Sequence, residues 1–237
     1  MLYLPRLRSR ADHSLAKLRD VGFANVALDA GIDGDRGDAH VLADLLGWRF
    51  ESRRTAGEVA FCLSTVRLWA RVVDEGLPYL LIFEDDVLPR PDVAQIGPLY
   101  WDETPADVDF LFMGNQIEPA LIANDQRRVV AYPSWCLHAY VITRAGARQG
   151  LELLREKLAR DDHGLAIIDA ELKRWMADER VRYACWNGTM LPKLLPHADD
   201  VNGSGTSPDV VWPLRDTGVF FQNFALGSAL FPNGRPG

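Results

Sequence analysis

Three consecutive acids, Glu84-Asp85-Asp86, follow directly on the apolar run Tyr79-Leu80-Leu81-Ile82-Phe83. Such a run reads as a strand buried on both faces, as in a parallel sheet covered by helices. In open α/β sheets ligands collect beyond the carboxyl ends of the strands, so the run would deliver its acids to a ligand crevice. If the extended backbone continues, Glu84 and Asp86 face one side and Asp85 the other, and a single ion could meet the first and last acids. Carboxylates are hard oxygen ligands that suit magnesium or manganese, ions that keep positions open for water and phosphate oxygens. For a bare acidic triplet the competing account is a solvated turn or a cap on the next helix. The strand before it makes the context more specific, and metal-dependent phosphotransferases share that context.

Positioning such a triplet takes a layered α/β fold, and the periodicities along the chain alternate accordingly. Residues 1–4 read as a short strand, 11–20 as a helix and 26–28 as a second strand before the turn-rich Gly31-Ile32-Asp33-Gly34-Asp35. The clearest helix spans 56–75, where Val59, Cys62, Leu63, Val66, Trp69, Ala70 and Val73 keep the three-and-four spacing of one apolar stripe. Thr55, followed three residues later by Glu58, supplies a capping box at its start. Further buried strands are expected at 109–113 and 139–142, with helices at 144–157 and 169–176. After Pro192 the sequence turns rich in Pro, Gly, Asn and Ser and reads as a long loop. Within it Gly218-Val219-Phe220-Phe221 is expected to fold back over the domain, and 234–237 to fray. No linker divides the chain. The expectation is a single α/β domain over 1–237, a mostly parallel central sheet flanked by helices, with 190–237 packed on it.

The 237 residues carry 26 Lys and Arg against 33 Asp and Glu, a formal net charge of -7. That balance argues against a surface built for nucleic-acid phosphates or anionic lipid, and leaves small anionic substrates that meet a local device such as a metal. Cys62, Cys136 and Cys185 are odd in number and widely spaced, so neither a disulfide nor a structural zinc is expected, which suits a reducing compartment. No apolar run reaches the length of a signal core or a membrane span. A cytoplasmic protein is expected. Arg6, Arg8 and Arg10 leave open a peripheral contact with the inner face of a membrane, beside the readings of a solvated face or a phosphate-facing loop. The acceptor patterns at Asn187 and Asn202 are read as chance matches without a secretory signal.

The stretch Gly57-Glu58-Val59-Ala60-Phe61-Cys62-Leu63-Ser64-Thr65-Val66-Arg67-Leu68-Trp69, followed closely by Tyr79 to Asp86, resembles the signature of the family 25 glycosyltransferases. This is the lipooligosaccharide galactosyltransferase and procollagen galactosyltransferase group. The likeness extends to the arginine-rich opening and its loop ending in Asp33-Gly34, to Ala139-Tyr140-Val141-Ile142-Thr143-Arg144-Ala145-Gly146-Ala147, and to Ile168-Asp169. It covers most of residues 1–175. Thr65 departs from the pattern, since the family usually has His after the Ser. The resemblance implies a GT-A type fold, a UDP-sugar donor, a manganese-type (or magnesium) ion on the acidic motif, and inversion at the anomeric carbon.

An inverting transfer needs a base at the acceptor hydroxyl. Asp169 is the candidate, with Glu171 in reserve, and an N-cap of the following helix is the competing account of Asp169. For the donor, Arg6, Arg8 and Arg10 are candidate phosphate or nucleotide contacts, and Asp33 a hydrogen-bond acceptor for uracil or ribose. Ser64 and Arg67 lie on the polar side of the best helix, while Glu84, Asp85 and Asn115 sit at strand ends facing the same crevice, a turn being the simpler account of Asn115. Glu84, Asp86 and His197 are the metal-ligand candidates, whereas a backbone partner would account for His138. The expected activity is transfer of a hexose, galactose favoured, from a UDP-sugar to a hydroxyl of a glycan or glycolipid in cell-envelope synthesis. The alternative is a degenerate relative that binds nucleotide-sugar or glycan without turnover. A metal-dependent phosphotransferase or nuclease is the third reading, weakened by the lack of a Walker-type loop, a basic stripe or an Asp-x-Asp-x-Thr motif.

Overall fold

The computed structural model describes residues 1–52, 54–160, 163–189, 191 and 217–222; most of 190–237, with His197 and Asn202, lies outside the described residues. Strand β1 (Leu2–Tyr3) and helix α1 (Arg8–Asp20) are followed by β2 (Asp29–Ala30), α2 (Asp38–Leu45) and α3 (Ala56–Asp74). Then come β3 (Tyr79–Phe83), β4 (Val87–Pro89), α4 (Val93–Glu103), β5 (Phe110–Ile117) and the single turn α5 (Pro119–Ile122). The described order ends with β6 (Val129–Val130), β7 (Ser134–Thr143), α6 (Arg144–Arg160), α7 (Ile168–Ala177), β8 (Tyr183–Trp186) and β9 (Phe220–Gln222).

The capping box forms as the sequence predicts. The Glu58 N–H donates to the Thr55 hydroxyl at 3.3 Å while the Thr55 N–H donates to the Glu58 carboxylate at 2.8 Å. The second strand lies at Asp29–Ala30 rather than 26–28, because Val26 and Leu28 pack against the core from the loop before it. Helix α4 carries Gly97-Pro98, a pair that reads as a breaker in sequence. Burial of Val93 and Tyr100 holds it against the sheet instead.

The central sheet runs β3-β7-β5-β8-β6, and the parallel pair β1-β2 meets it through a parallel bridge from Leu2 to Glu84. β5 pairs with β8 in parallel, whereas β7 lies antiparallel to both β3 and β5, and β6 antiparallel to β8. By direction β2, β1, β3, β5 and β8 point one way and β7 and β6 the other, the expected mostly parallel sheet with one reversed strand set into its middle. Side chains alternate across it. Ile82, Phe110, Phe112, Tyr140 and Ile142 bury against α3, α6 and α7, while Phe83, Leu111, Met113, Ala139 and Val141 bury against α1 and α4. The short apolar piece expected to fold back does so. β9 pairs with β4, and the Val219 and Thr217 N–H groups each donate at 2.9 Å, to the carbonyls of Met113 and Asn115.

Burial pushes the thiols of Cys62 and Cys185 up to about 12, whereas Cys136 is half-buried. Thiolate, the reactive species, is then scarce at both buried positions near pH 8. Titrating the native protein with a thiol reagent at pH 8 is expected to label Cys136 alone, and all three cysteines after denaturation. Rapid native labelling of Cys62 or Cys185 would show that the apolar layer they share, on the α3, α6 and α7 face of the sheet, opens far more readily than this packing implies.

Candidate active site

Strand β3 ends at Phe83, and the acids after it turn. The Val87 N–H donates to the Glu84 carbonyl at 3.3 Å, closing a tight turn over residues 84–87. Val87 and Leu88 are buried, so the chain must double back to sink them. The extended alternation expected for the triplet is therefore lost. Arg10, from α1, reaches the turn instead, hydrogen-bonding the Asp85 carboxylate and placing Nη1 3.9 Å from Asp86 Oδ2. Asp85 also accepts the Leu4 N–H at 3.2 Å, and its carbonyl accepts the Ser14 hydroxyl at 2.9 Å. This acid fastens α1 to the end of β3.

A cleft of about 130 Å³ opens beside the turn, lined by Arg6, Arg10, Gly31, Ser64, Glu84 and Asp85 among others. Arg6 bonds Asp33 at 3.0 Å and Asp35 at 2.9 Å, so the two nucleotide candidates Arg6 and Asp33 form one unit on the cleft wall. The Ser64 hydroxyl accepts the Ile32 N–H at 2.8 Å and donates to the Ala60 carbonyl at 2.7 Å, which fixes the 31–35 loop on α3. Gly34 permits that contact, since a Cβ there would lie 2.6 Å from the Ala56 carbonyl.

Other candidates belong to the scaffold. Arg8 pairs with Asp12 at 2.8 Å on the exposed side of α1 and does not line the cleft. Arg67 bonds Asp29 and, at 2.7 Å, the Ala30 carbonyl, tying α3 to β2. Asn115 is fully buried, its amide donating to the Phe112 and Trp186 carbonyls at 3.2 and 3.0 Å while its oxygen accepts the Thr217 hydroxyl at 2.7 Å. It clasps the returning C-terminal segment, leaving no amide hydrogen for a ligand. Glu171 is buried too, accepting the Ala166 N–H at 2.9 Å and pairing with Arg174 at 2.8 Å. Those bonds consume the reserve base inside the fold.

Asp169 behaves differently. It stands second in α7, whose N-cap is Ile167 with no side-chain bond, so the capping account does not hold. Burial raises its carboxyl to about 6, against the pull of His138 and of N–H bonds from Cys136 and its own backbone. The Glu84 carboxyl is pushed well above the usual range by burial, then by Asp86, Asp169 and Asp85, with Arg10 opposing. The fold thus brings Asp169 into the electrostatic field of the acid turn. His138 Nε2 lies 2.9 Å from the Phe220 carbonyl, the backbone partner its sequence context suggested. The Cys136 N–H was invisible to sequence reading because a backbone group leaves no residue signature; Gly114, over which His138 packs, was a legible hint.

The class of the chain follows from its match to a family model. The model for glycosyltransferase family 25 (LPS biosynthesis protein) matches residues 31–164, more than half of the chain, and the chain belongs to this family. It is 31% identical over 180 residues to a Bos taurus protein named probable inactive glycosyltransferase 25 family member 3, covering 68% of this chain and 30% of that one. Over 107 residues it is 31% identical to the lacto-N-neotetraose biosynthesis glycosyltransferase LgtE of Neisseria meningitidis serogroup B, covering 40% of this chain and 38% of the relative. The chain spans about a third of the length of the curated relatives it matches.

A carboxyl raised from 3.8 to about 6 is favoured protonated in the folded state. Its contribution to stability is complete below pH 4 and is lost as pH rises through 6. Asp169→Asn keeps the shape without the charge. At pH 8 the variant should resist urea better than the parent by about 1–2 kcal/mol. At pH 4 the two unfolding curves should coincide. A variant less stable at both values would show that the fold itself needs the carboxylate.

Proposed function

We propose that this chain is an inverting, metal-dependent hexosyltransferase that moves a hexose, galactose favoured, from a UDP-sugar to a hydroxyl of a glycan or glycolipid acceptor. One observation carries the reading: Asp169, remote in sequence, shares the strand-end rim with the acid turn, beside a cleft lined by Arg6, Arg10 and Ser64. The printed name of the Neisseria relative, a lacto-N-neotetraose biosynthesis enzyme, supports a role in cell-envelope polysaccharide or lipooligosaccharide synthesis. Among the described residues no helix is long and apolar enough to cross a membrane. The proposed location is the cytoplasm, at the inner membrane face where glycolipid acceptors lie.

In this reading the Arg6 and Asp33 unit meets the nucleoside, and Arg10 faces the diphosphate from beside Asp85. Glu84 and Asp86 would hold a manganese or magnesium ion. Among the described residues no three His, Cys, Asp or Glu side chains are grouped to hold an ion unaided. Two carboxylates fit an ion that takes its other positions from phosphate oxygens and water. The rise in the Glu84 pKa, driven by burial and the neighbouring acids, is what a cation would relieve. When bound, the ion supplies positive charge against the departing diphosphate. Asp169 takes the acceptor hydroxyl's proton as that oxygen bonds the anomeric carbon and the bond to UDP breaks. His197 lies outside the described residues and remains a proposed third ligand.

The alternative, a degenerate binder, draws on the bovine relative's printed name and on Thr65, which stands buried in α3 where the family usually has His. UDP release from UDP-galactose and UDP-glucose, with manganese and with EDTA, separates the two. Expected is manganese-dependent release, lost by about 100-fold or more in Asp86→Ala assayed at a temperature where circular dichroism shows that variant folded. An active Asp86→Ala would remove the metal assignment. A manganese-dependent thermal shift with UDP but no release, across a panel of glycan acceptors, would favour the binder.

A further inference from the structure

The β5–β7 ladder is irregular at two places: between Phe112 and Gly114, where β5 carries the extra residue, and between Gly114 and Gln116, where β7 does. Against β5, β7 is in register at Ala139 with Gly114 and again at Trp135 with Gln116. Between those anchors β5 advances by two residues and β7 by four, so Cys136-Leu137-His138 must bulge. Cys136, the third residue of β7, adopts φ 76, in the left-handed region that L side chains avoid. Bulges recur beside active sites, where they re-aim groups that a regular strand would point elsewhere.

Here the re-aimed group is a peptide N–H. The Cys136 N–H donates to the Asp169 carboxylate. On the other side of the bulge, His138 is fully buried and held twice. Its carbonyl accepts the Glu84 N–H at 3.0 Å, and its Nε2 faces the Phe220 carbonyl of β9 at 2.9 Å. A carbonyl only accepts, so Nε2 carries the proton. Gly114 makes room for the ring, since a Cβ there would lie 2.2 Å from Nε2. The strained segment is therefore pinned between the acid turn and the returning C-terminal strand.

We propose that His138 is a positioning residue for Asp169: by locking the Cys136–His138 bulge between Glu84 and Phe220, it keeps the Cys136 N–H on the Asp169 carboxylate and so aims the base. The inference rests on reading Asp169 as the base of the proposed transfer. It also couples the reacting carboxylate to the seating of β9, which enters the chain far from every other part of the site. A ring that only filled space would support stability and leave the chemistry of folded protein alone.

The test is UDP-release kinetics on the full chain with four single variants and one double variant. His138→Leu should lower kcat by about ten- to hundredfold, with the donor KM within about twofold of the parent, as expected when a reacting group is misplaced and binding is not. His138→Gln, whose amide N–H reaches the Phe220 carbonyl, should restore most of the loss. Gly114→Ala should repeat the Leu phenotype by occupying the space of the ring. In an Asp169→Asn background His138→Leu should cost nothing further, because the two act as one unit. Parental kcat in folded His138→Leu, or His138→Gln as impaired as His138→Leu, overturns the proposal. If Asp169→Asn is dead while His138→Leu is normal, the base stands and the positioning role falls. If Asp169→Asn transfers normally, the base reading fails and takes the positioning role with it. Should the parent release no UDP, the coupling is read from urea midpoints of the same double-mutant cycle; strictly additive shifts refute it.

Discussion

Arg10 and the acids it faces set the terms for the structure around them. Glu84, Asp85, Asp86 and Asp169 share one rim of the sheet, and burial raises the carboxyls of Glu84, Asp85 and Asp169 above their ordinary range. Burial also works against the Arg10 guanidinium, yet Asp86, Asp85 and Glu84 together outweigh it and hold the group protonated. Removing one partner of a buried pair typically costs about 3–5 kcal/mol, because the other charge is left stranded. Asp85 consequently joins the end of β3 to α1 through the Arg10 guanidinium and the Ser14 hydroxyl, and to the segment after β1 through the Leu4 N–H. The cleft wall inherits its position from that junction, since Leu4, Arg10 and Asp85 belong to both.

A rim loaded with like charge needs stability from elsewhere. It comes from a sheet with an apolar cluster on each face, where each fully buried side chain of Phe or Leu size contributes about 1.5–3 kcal/mol. Trp69 shows how tightly that layer is specified. Fully buried, it donates its indole N–H to the Tyr140 hydroxyl at 3.0 Å and packs where a Cβ on Gly150 would come within 2.8 Å. Asn115 and Thr217 add a polar clasp that fastens the C-terminal return to β5. Rigid scaffold and uncomfortable rim belong together: groups that lower stability can be held in one geometry only if their surroundings leave them no alternative.

Membership of glycosyltransferase family 25 gives this arrangement its chemical setting. The matched span includes the 31–35 loop, α3, the acid turn and β7, whereas Arg10 and Asp169 lie outside it. Both lie in parts of the chain that the resemblance noted in the sequence also touched, the opening segment and Ile168-Asp169. Their roles depend on reaching the rim from either side of the matched core.

The sequence by itself determined what is local. Apolar spacing and the Thr55 and Glu58 pair located α3 nearly to the residue, and the run at Tyr79–Phe83 placed three acids at a strand's carboxyl end. These signals survive because a helix stripe, a cap and a strand core are written in neighbours a few residues apart. What each polar group then does was decided only by tertiary structure. Arg67, Asn115 and Glu171 look as suited to a ligand as Arg6, Glu84 and Asp169 do, yet Asn115 and Glu171 are buried with their bonds met inside the fold, and Arg67 ties α3 to β2 away from the cleft lining. The 84–87 turn, the bulge at Cys136 and the place of Arg10 between two acids likewise depend on partners tens of residues away. A carboxylate or guanidinium pairs with whatever the fold brings within about 3 Å, and no pattern of neighbours along the chain encodes that choice.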